Sequence, residues 1–480
     1  MAVESIWAGK VWRFSFMVKR SYVVTEFSRR KWLALAGMTG VAMAGRGAMG
    51  AVTQIHSGGG YAANPFARSV LKFGARGDAR KDNTAAFQKA LDAAHSAGGG
   101  IVHVPVGRYL FKGHLTMPSN TSLEGVFLAP PCIANTASGS MLLSTEGRGR
   151  ADGPPFIGVN GWNCTIRGLG IYYPDQDPNA TEPVPYPWAI GRITESQVVE
   201  DMSVIDVALT NPYQGINLAG APRHYIARVY GHPIKTGLIA DHIEDIGRIE
   251  NIHFWPFWPC TGGSPVCNWI QAHGTSFIFG RSDWQYVFNT FSWGYRIGYQ
   301  FIKTPSGTCN GNFLGIGADS TFEALRVDAA QPASGLLITN GEFVGMMGAE
   351  SQGFVIGPKN TAQVSMNNCA FWGPSNRIGT IQGTGPVSMI GCNFQAWDKR
   401  GRGEPAILCD GAPTNIMGCQ FLAPGRKKAV RIRKGCAGAV ITGNTSMGSA
   451  FTVDRPSGLP RTRFQIHSNI ACPSQWRDAF

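Results

Sequence analysis

A chain of 480 residues with 62 glycines, 29 prolines and only 15% charged side chains is turn-dense, which excludes a helical bundle and points to a β-rich protein; 44% hydrophobic residues supply a large core. The formal charge is +13, of which residues 1–50 hold eight Lys or Arg against two acids. The remaining bias suits an anionic ligand such as a polyuronate, and no basic run of the kind that grips nucleic acid is present.

The first segment in chain order, Ser28-Arg29-Arg30-Lys31-Trp32-Leu33-Ala34 followed by a short apolar run ending in small residues, resembles a twin-arginine export signal. The run is too short and too rich in glycine to span a membrane stably. The resemblance implies a leader over 1–50, with Met17 as an alternative start and a linker over 51–69. It also implies a periplasmic or secreted destination, with no membrane attachment after cleavage. One domain is then expected over 70–470.

The domain opens with KFGARGDARKDNTAAFQKALDAAHSAGGGIVHVPVGRYLF, Lys72 to Phe111. Asn83 to Ala94 predicts a helix, with Asp82 or Asn83 as N-cap and Ala86, Phe87, Ala90, Leu91 and Ala94 as its apolar face. Gly98-Gly99-Gly100 ends it, and IVHVP and GRYLF read as the first strands. Further on, Tyr172 to Trp188 contains five prolines and three acids; it cannot be regular strand and reads as an outward loop, with Asp175 and Asp177 able to reach a groove. Cys260 and Cys267, in WPCTGGSPVCNW, could close a disulfide across a Gly-Pro loop; eleven cysteines forbid complete internal pairing.

From the middle of the chain a phrase recurs: TNGEFVG, NNCAFWG, IGCNFQAW and MGCQFLAPG, with Phe343, Phe371, Phe394 and Phe421 spaced 28, 23 and 27 residues apart. Short β-prone runs with Gly/Asn turns and a drifting period are what a parallel β-helix requires. Cys369, Cys392 and Cys419 hold one place in this phrase and should stack about 4.8 Å apart as buried thiols. The open end of such a solenoid needs a cap, and the lone helix near residue 84 supplies it.

The stretch from residue 70 to 111 resembles the opening of the pectate-lyase-superfamily domain shared by rhamnogalacturonases, family 28 glycoside hydrolase relatives, some epimerases and phage tail depolymerases. The resemblance implies an all-β, right-handed parallel β-helix with an N-terminal capping helix. The reaction is less defined. Family 28 motifs are absent as intact units: Ala272-His273-Gly274 and Arg431-Ile432-Arg433 only approximate two of them, and the RxPxxR pattern of calcium-dependent pectate lyases is missing.

Candidate site residues therefore rest on residue chemistry. Residues 251–300 hold 14 aromatics. Trp255, Trp258 and Trp284, with Tyr286, Arg281 and His273, are the expected sugar-binding groups, since flat C–H faces of sugars stack on indoles. Acids are scarce, and Asp241, Asp245, Asp283, Asp319 and Glu342 are the expected catalytic carboxylates, two of which brought within about 5 to 9 Å would serve glycoside cleavage. Uronate β-elimination would instead draw on His273, Tyr286, Arg281 and Arg296, with His242 and His253 nearby. No metal ligand set is recognisable and no cofactor is expected. The expected activity is hydrolysis of an acidic or pectin-like polysaccharide; the alternatives are a polysaccharide lyase, or a non-catalytic glycan-binding or structural β-helix, homotrimeric as tail-fibre relatives are.

Overall fold

A computed structural model describes residues 67–128, 139–193, 199–258, 263–423, 427–448 and 450–472. The twin-arginine-like segment, the linker up to residue 66 and Cys260 lie outside these residues, so neither the export signal nor a Cys260–Cys267 disulfide has a structural description.

The described chain winds as a parallel β-helix. All strand pairs between coils are parallel, and each coil places short strands on three faces. One face is a 13-stranded sheet running from Leu115–Met117 to Val453–Asp454; it is called the third face below. In the coils from Thr165 to Phe254 the first and second faces share single long strands, such as Ser203–Leu209, Tyr225–Gly231 and Arg248–Phe254. From Ser282–Phe288 and Phe291–Trp293 onward each coil gives the two faces separate strands.

The bend between the first and second faces has a local cause. One residue per coil there must adopt left-handed backbone, which asparagine, aspartate and glycine tolerate best. Asp206, Arg228, Asn251, Asn289, Asn340 and Asn368 take it with φ between 50° and 56°. Side chains then bridge coil to coil: Asn289 Nδ2 donates to Asn251 Oδ1 at 2.7 Å and Asn368 Nδ2 to Asn340 Oδ1 at 2.8 Å.

Immediately after this bend the repeat seen in the sequence turns inward. Phe343, Phe371, Phe394 and Phe421 stack with ring centroids 5.3, 5.4 and 4.9 Å apart, all buried. Cys369, Cys392 and Cys419 line the corner beside them, also buried, and each is a free thiol. Their sulfurs donate to backbone carbonyls, such as Met366 O for Cys392 and Met389 O for Cys419. In the next coil Asn444 occupies the corner and donates to Ile416 O at 2.9 Å, so the thiol column passes into an amide column.

The cap is the helix Thr84–Ser96, whose buried face is Ala86, Phe87, Ala90, Leu91 and Ala94. Asp82 does the capping: its Oδ1 accepts from Thr84 N at 3.0 Å and Thr84 Oγ1 at 2.7 Å. Asn83, equally eligible by sequence, is fully buried instead and ties the loop to the first coils, accepting from Arg76 N and donating to Leu110 O. The proline-rich segment after Tyr172 is a folded-back loop. Gln176 closes it through a paired hydrogen bond with the Val184 backbone, and Tyr173 and Tyr186 bury against each other beneath it.

Candidate functional site

The coil register sorts the five carboxylates onto different surfaces. Asp241, Asp245 and Asp283 gather where the third face turns into the first; Asp319 and Glu342 lie together on the second.

In the first group every carboxylate has a structural task. Asp241 Oδ1 accepts from His242 N, Arg281 N and Thr304 Oγ1 at 2.7 to 2.8 Å, which makes it the organiser of a turn. Asp245 accepts from Ile246 N at 2.8 Å and pairs with Arg223 at 3.2 Å; that backbone hydrogen bond, then Arg223, hold its carboxyl below the ordinary range. Asp283 pairs with Arg281 at 2.7 Å and accepts from Gln331 at 3.0 Å. With Glu244, Trp284 and Asn310, Asp245 and Asp283 line a shallow depression of about 460 Å³.

The second group has a different character. Asp319 and Glu342 share a depression of about 280 Å³ with Phe291 and Trp372. The Trp372 indole donates to Glu342 Oε1 at 2.9 Å. Burial raises the Asp319 carboxyl pKa, hydrogen bonds from Ser320 oppose the rise, and the Glu342 charge adds to it. The two carboxyl groups thus differ in environment, Asp319 half-buried and Glu342 exposed.

The same surface continues toward the N-terminus. On the second face the outward position passes from Tyr230 to His253 to Phe291 to Gly317 to Glu342 on successive coils. His253 lies 6.4 Å from Tyr230 and 5.3 Å edge-on to both Phe291 and Phe257, measured between ring centroids. Burial lowers its pKa, so it remains a neutral base at neutral pH. A phenol, a neutral imidazole and an acid pair thus follow one another along a single column over about 19 Å, four coil rises.

The expected sugar-binding residues divide. Trp284 and Tyr286 are exposed, at 58% and 40%, on the first face, and Tyr286 joins Phe288, Leu314 and Leu337 around a depression of about 380 Å³. Trp255 is half-buried, 5.3 Å from Phe257. Trp258 corrects the sequence expectation: it is only 8% exposed, and its backbone carbonyl bonds to His232 Nδ1, so it has no free face for a sugar. His273 ends the helix Pro265–His273 and rests 4.8 Å from Trp269, away from the acids. Arg281 serves Asp283. Asp175 pairs with Arg148 at 3.2 Å and Asp177 caps Asn179 N at 2.8 Å, so both are absorbed by the loop.

Sequence reasoning passed over Tyr230 and Trp372 and named His253 only as a neighbour of the residues suited to β-elimination. A clue was available. GIYYP, ALTNP, YGHP and HFWP, ending at Pro174, Pro212, Pro233 and Pro256, mark the ends of successive second-face strands, and aligning their first letters places Gly170, Ala208, Tyr230 and His253 in one column. Among the described residues no group of three or more His, Cys, Asp or Glu is placed to hold a metal ion.

Residues 67–226 match the family model described as rhamnogalacturonase A/epimerase, pectate lyase-like, a third of the chain. Mannuronan C5-epimerase AlgE3 of Azotobacter vinelandii is 47% identical over 72 residues, 14% of this chain and 4% of the epimerase. Alginate lyase 7 of the same organism is 53% identical over 45 residues, 9% of this chain and 5% of the lyase. These matches therefore span a small part of each relative. The pre-mature gene product 12 of bacteriophage phi29 superposes with a TM-score of 0.51 at 14% identity, covering 80% of this chain and 53% of the phage protein, a likeness of fold.

Proposed function

We propose that this protein modifies a uronate-containing polysaccharide by removing the proton at C5, the carbon next to the carboxylate, from a chain lying along the second face. The observation that carries this reading is the adjacency of His253 and Tyr230 on consecutive coils. His253, kept neutral by burial, takes the C5 proton. The electron pair left behind delocalises into the carboxylate, which needs a nearby proton donor or cation. Tyr230 gives a proton either to the departing 4-oxygen, completing elimination, or back to C5 from the opposite side, completing epimerisation. The substrate class draws support from the matches to mannuronan epimerases and to an alginate lyase.

A second reading, hydrolysis, rests on the Asp319–Glu342 pair, in which the protonated member would serve as general acid and the ionised one as base or nucleophile. One experiment separates the two. The purified protein is incubated in D2O with polymannuronate, polyguluronate and polygalacturonate while C5 deuteration, absorbance near 235 nm and reducing ends are followed. Deuterium at C5 without absorbance supports proton abstraction followed by epimerisation, whereas absorbance near 235 nm supports proton abstraction followed by elimination, whose C4=C5 double bond leaves no hydrogen on C5. New reducing ends with neither signal would replace the proposal with hydrolysis.

A further inference from the structure

Charge is unevenly distributed along the coils. Residues 398–463 carry twelve Lys or Arg against four acids, whereas 51–397 and 464–480 together carry 23 against 24. The whole positive excess beyond residue 50 therefore sits in the last coils.

The fold concentrates it around the third face of these coils, on the turns that enter and leave it. The second-face strands Asn393–Gln395 and Gln420–Leu422 run into turns bearing Lys399, Arg400 and Arg402, and then Lys427 and Lys428. The third-face strand Val430–Ile432 runs on into Arg433 and Lys434, with Arg455 beside them around a depression of about 530 Å³. The four acids of this region are already committed. Asp398 accepts from the backbone N–H groups of Arg402, Gly403 and Glu404. Glu404 pairs with Arg377 and Arg431, Asp410 with Arg433, and Asp454 with Lys428 and Arg431. Arg402, Lys434 and Arg455 are exposed and make no ion pair among the described residues. Uncompensated like charges held on a rigid surface raise the local concentration of a polyanion.

From these observations we infer that the C-terminal coils form an anchoring surface for a polyanionic sugar chain, holding the same uronate polymer where it runs beyond the second-face groove. The outward column passes from Glu342 through Ala370 to Asn393, two coil rises or about 10 Å. Asn393 belongs to the coil whose next turn carries Lys399, Arg400 and Arg402. A long chain lying along the column reaches the first of these basic turns and can continue across the third face to Lys434 and Arg455; a trisaccharide bound near His253 does not. The polymer's identity rests on the functional reading above, whereas the location of the anchor does not.

The test compares two triple variants of the whole protein with equal change in net charge: Arg402→Glu/Lys434→Glu/Arg455→Glu, and Arg76→Glu/Arg80→Glu/Lys89→Glu on exposed positions near the cap. Calorimetric binding is measured with long polymannuronate, its trisaccharide and duplex DNA at low and high salt. The first triple is expected to weaken long-chain binding about tenfold and flatten its salt dependence, with the trisaccharide unaffected and the second triple like wild type. Equal weakening by both triples would overturn the anchor, and DNA binding as tight as polymannuronate would overturn the sugar assignment. If the first triple misfolds, Arg402→Gln/Lys434→Gln/Arg455→Gln makes the same comparison. Tight long-chain binding lost only in the first triple, in a protein that turns over no uronate, would sustain the anchor and sink the catalytic reading.

Discussion

His224 has no access to solvent, and both ring nitrogens are engaged. Ala221 O, 2.8 Å from Nδ1, can only accept, so Nδ1 carries the hydrogen, and Nε2 is left to accept from the Gln285 amide at 3.2 Å. Protonation would break the second bond and bury a charge, and burial accordingly lowers the pKa to about 4; burial does the same to His232, also to about 4. An unfolded chain takes up these protons below about pH 6.5. Because the unfolded state then binds more protons than the native one, stability falls as pH drops from about 6.5 toward 4. Chemical denaturation at pH 7 and pH 5 should differ by about 2 to 4 kcal/mol from these two histidines. His224→Gln should roughly halve that difference, and an unchanged difference would show that the ring titrates freely. His253 makes the counterpart at the proposed site. Its pKa is also lowered by burial, so the acid limb of kcat/KM on a polyuronate should lie below the ordinary histidine range. His253→Ala should reduce kcat about 10² to 10⁴-fold in a protein that still folds; near-normal turnover would remove His253 from the chemistry.

Each coil is an element held by its corner and its interior stack. Asn368 occupies the left-handed corner with φ 50°, and an alanine there meets Cβ crowding that costs roughly 1 to 2 kcal/mol. Asn368→Ala should lose about that much in urea denaturation while Asn368→Gly stays within a few tenths, and equal losses would place the effect in the lost Asn340 hydrogen bond instead. Phe394, sandwiched between Phe371 and Phe421, is the larger deletion: Phe394→Ala should cost about 3 to 5 kcal/mol. These corners and stacks were legible in the sequence because like residues sit on like: Asn or Gly, then Cys, then Phe two places on, returning on three successive coils. The column of the proposed site was not. Tyr230, His253, Phe291 and Glu342 share a position but no chemistry, and the helix Pro265–His273 interrupts the spacing between His253 and Phe291. The acids were legible individually, being scarce; their division between faces depends on the corner geometry, which a list of acids does not contain.

At the scale of the whole molecule a solenoid's stability depends on its ends, since each interior coil is covered by two neighbours and a terminal one by a single neighbour. The helix Thr84–Ser96 closes the N-terminal end with Phe87, fully buried and edge-on to Phe111 at 4.8 Å and Tyr109 at 5.3 Å. This cap was readable because an apolar stripe of 3.6-residue period over Asn83 to Ala94 stands before a run of strands whose later repeats require a closed end. Two substitutions separate its roles. Phe87→Ala leaves a cavity and should lower stability by about 3 to 5 kcal/mol while the protein stays in its wild-type oligomeric state. Phe87→Asp places a carboxylate against the first coil, so the helix should detach and uncover apolar core and unpaired strand edge. Size-exclusion chromatography with light scattering should then show concentration-dependent assemblies absent from both wild type and Phe87→Ala. If Phe87→Asp keeps the wild-type mass distribution at every concentration, the first coil protects its own edge and the helix adds packing without acting as a barrier to association.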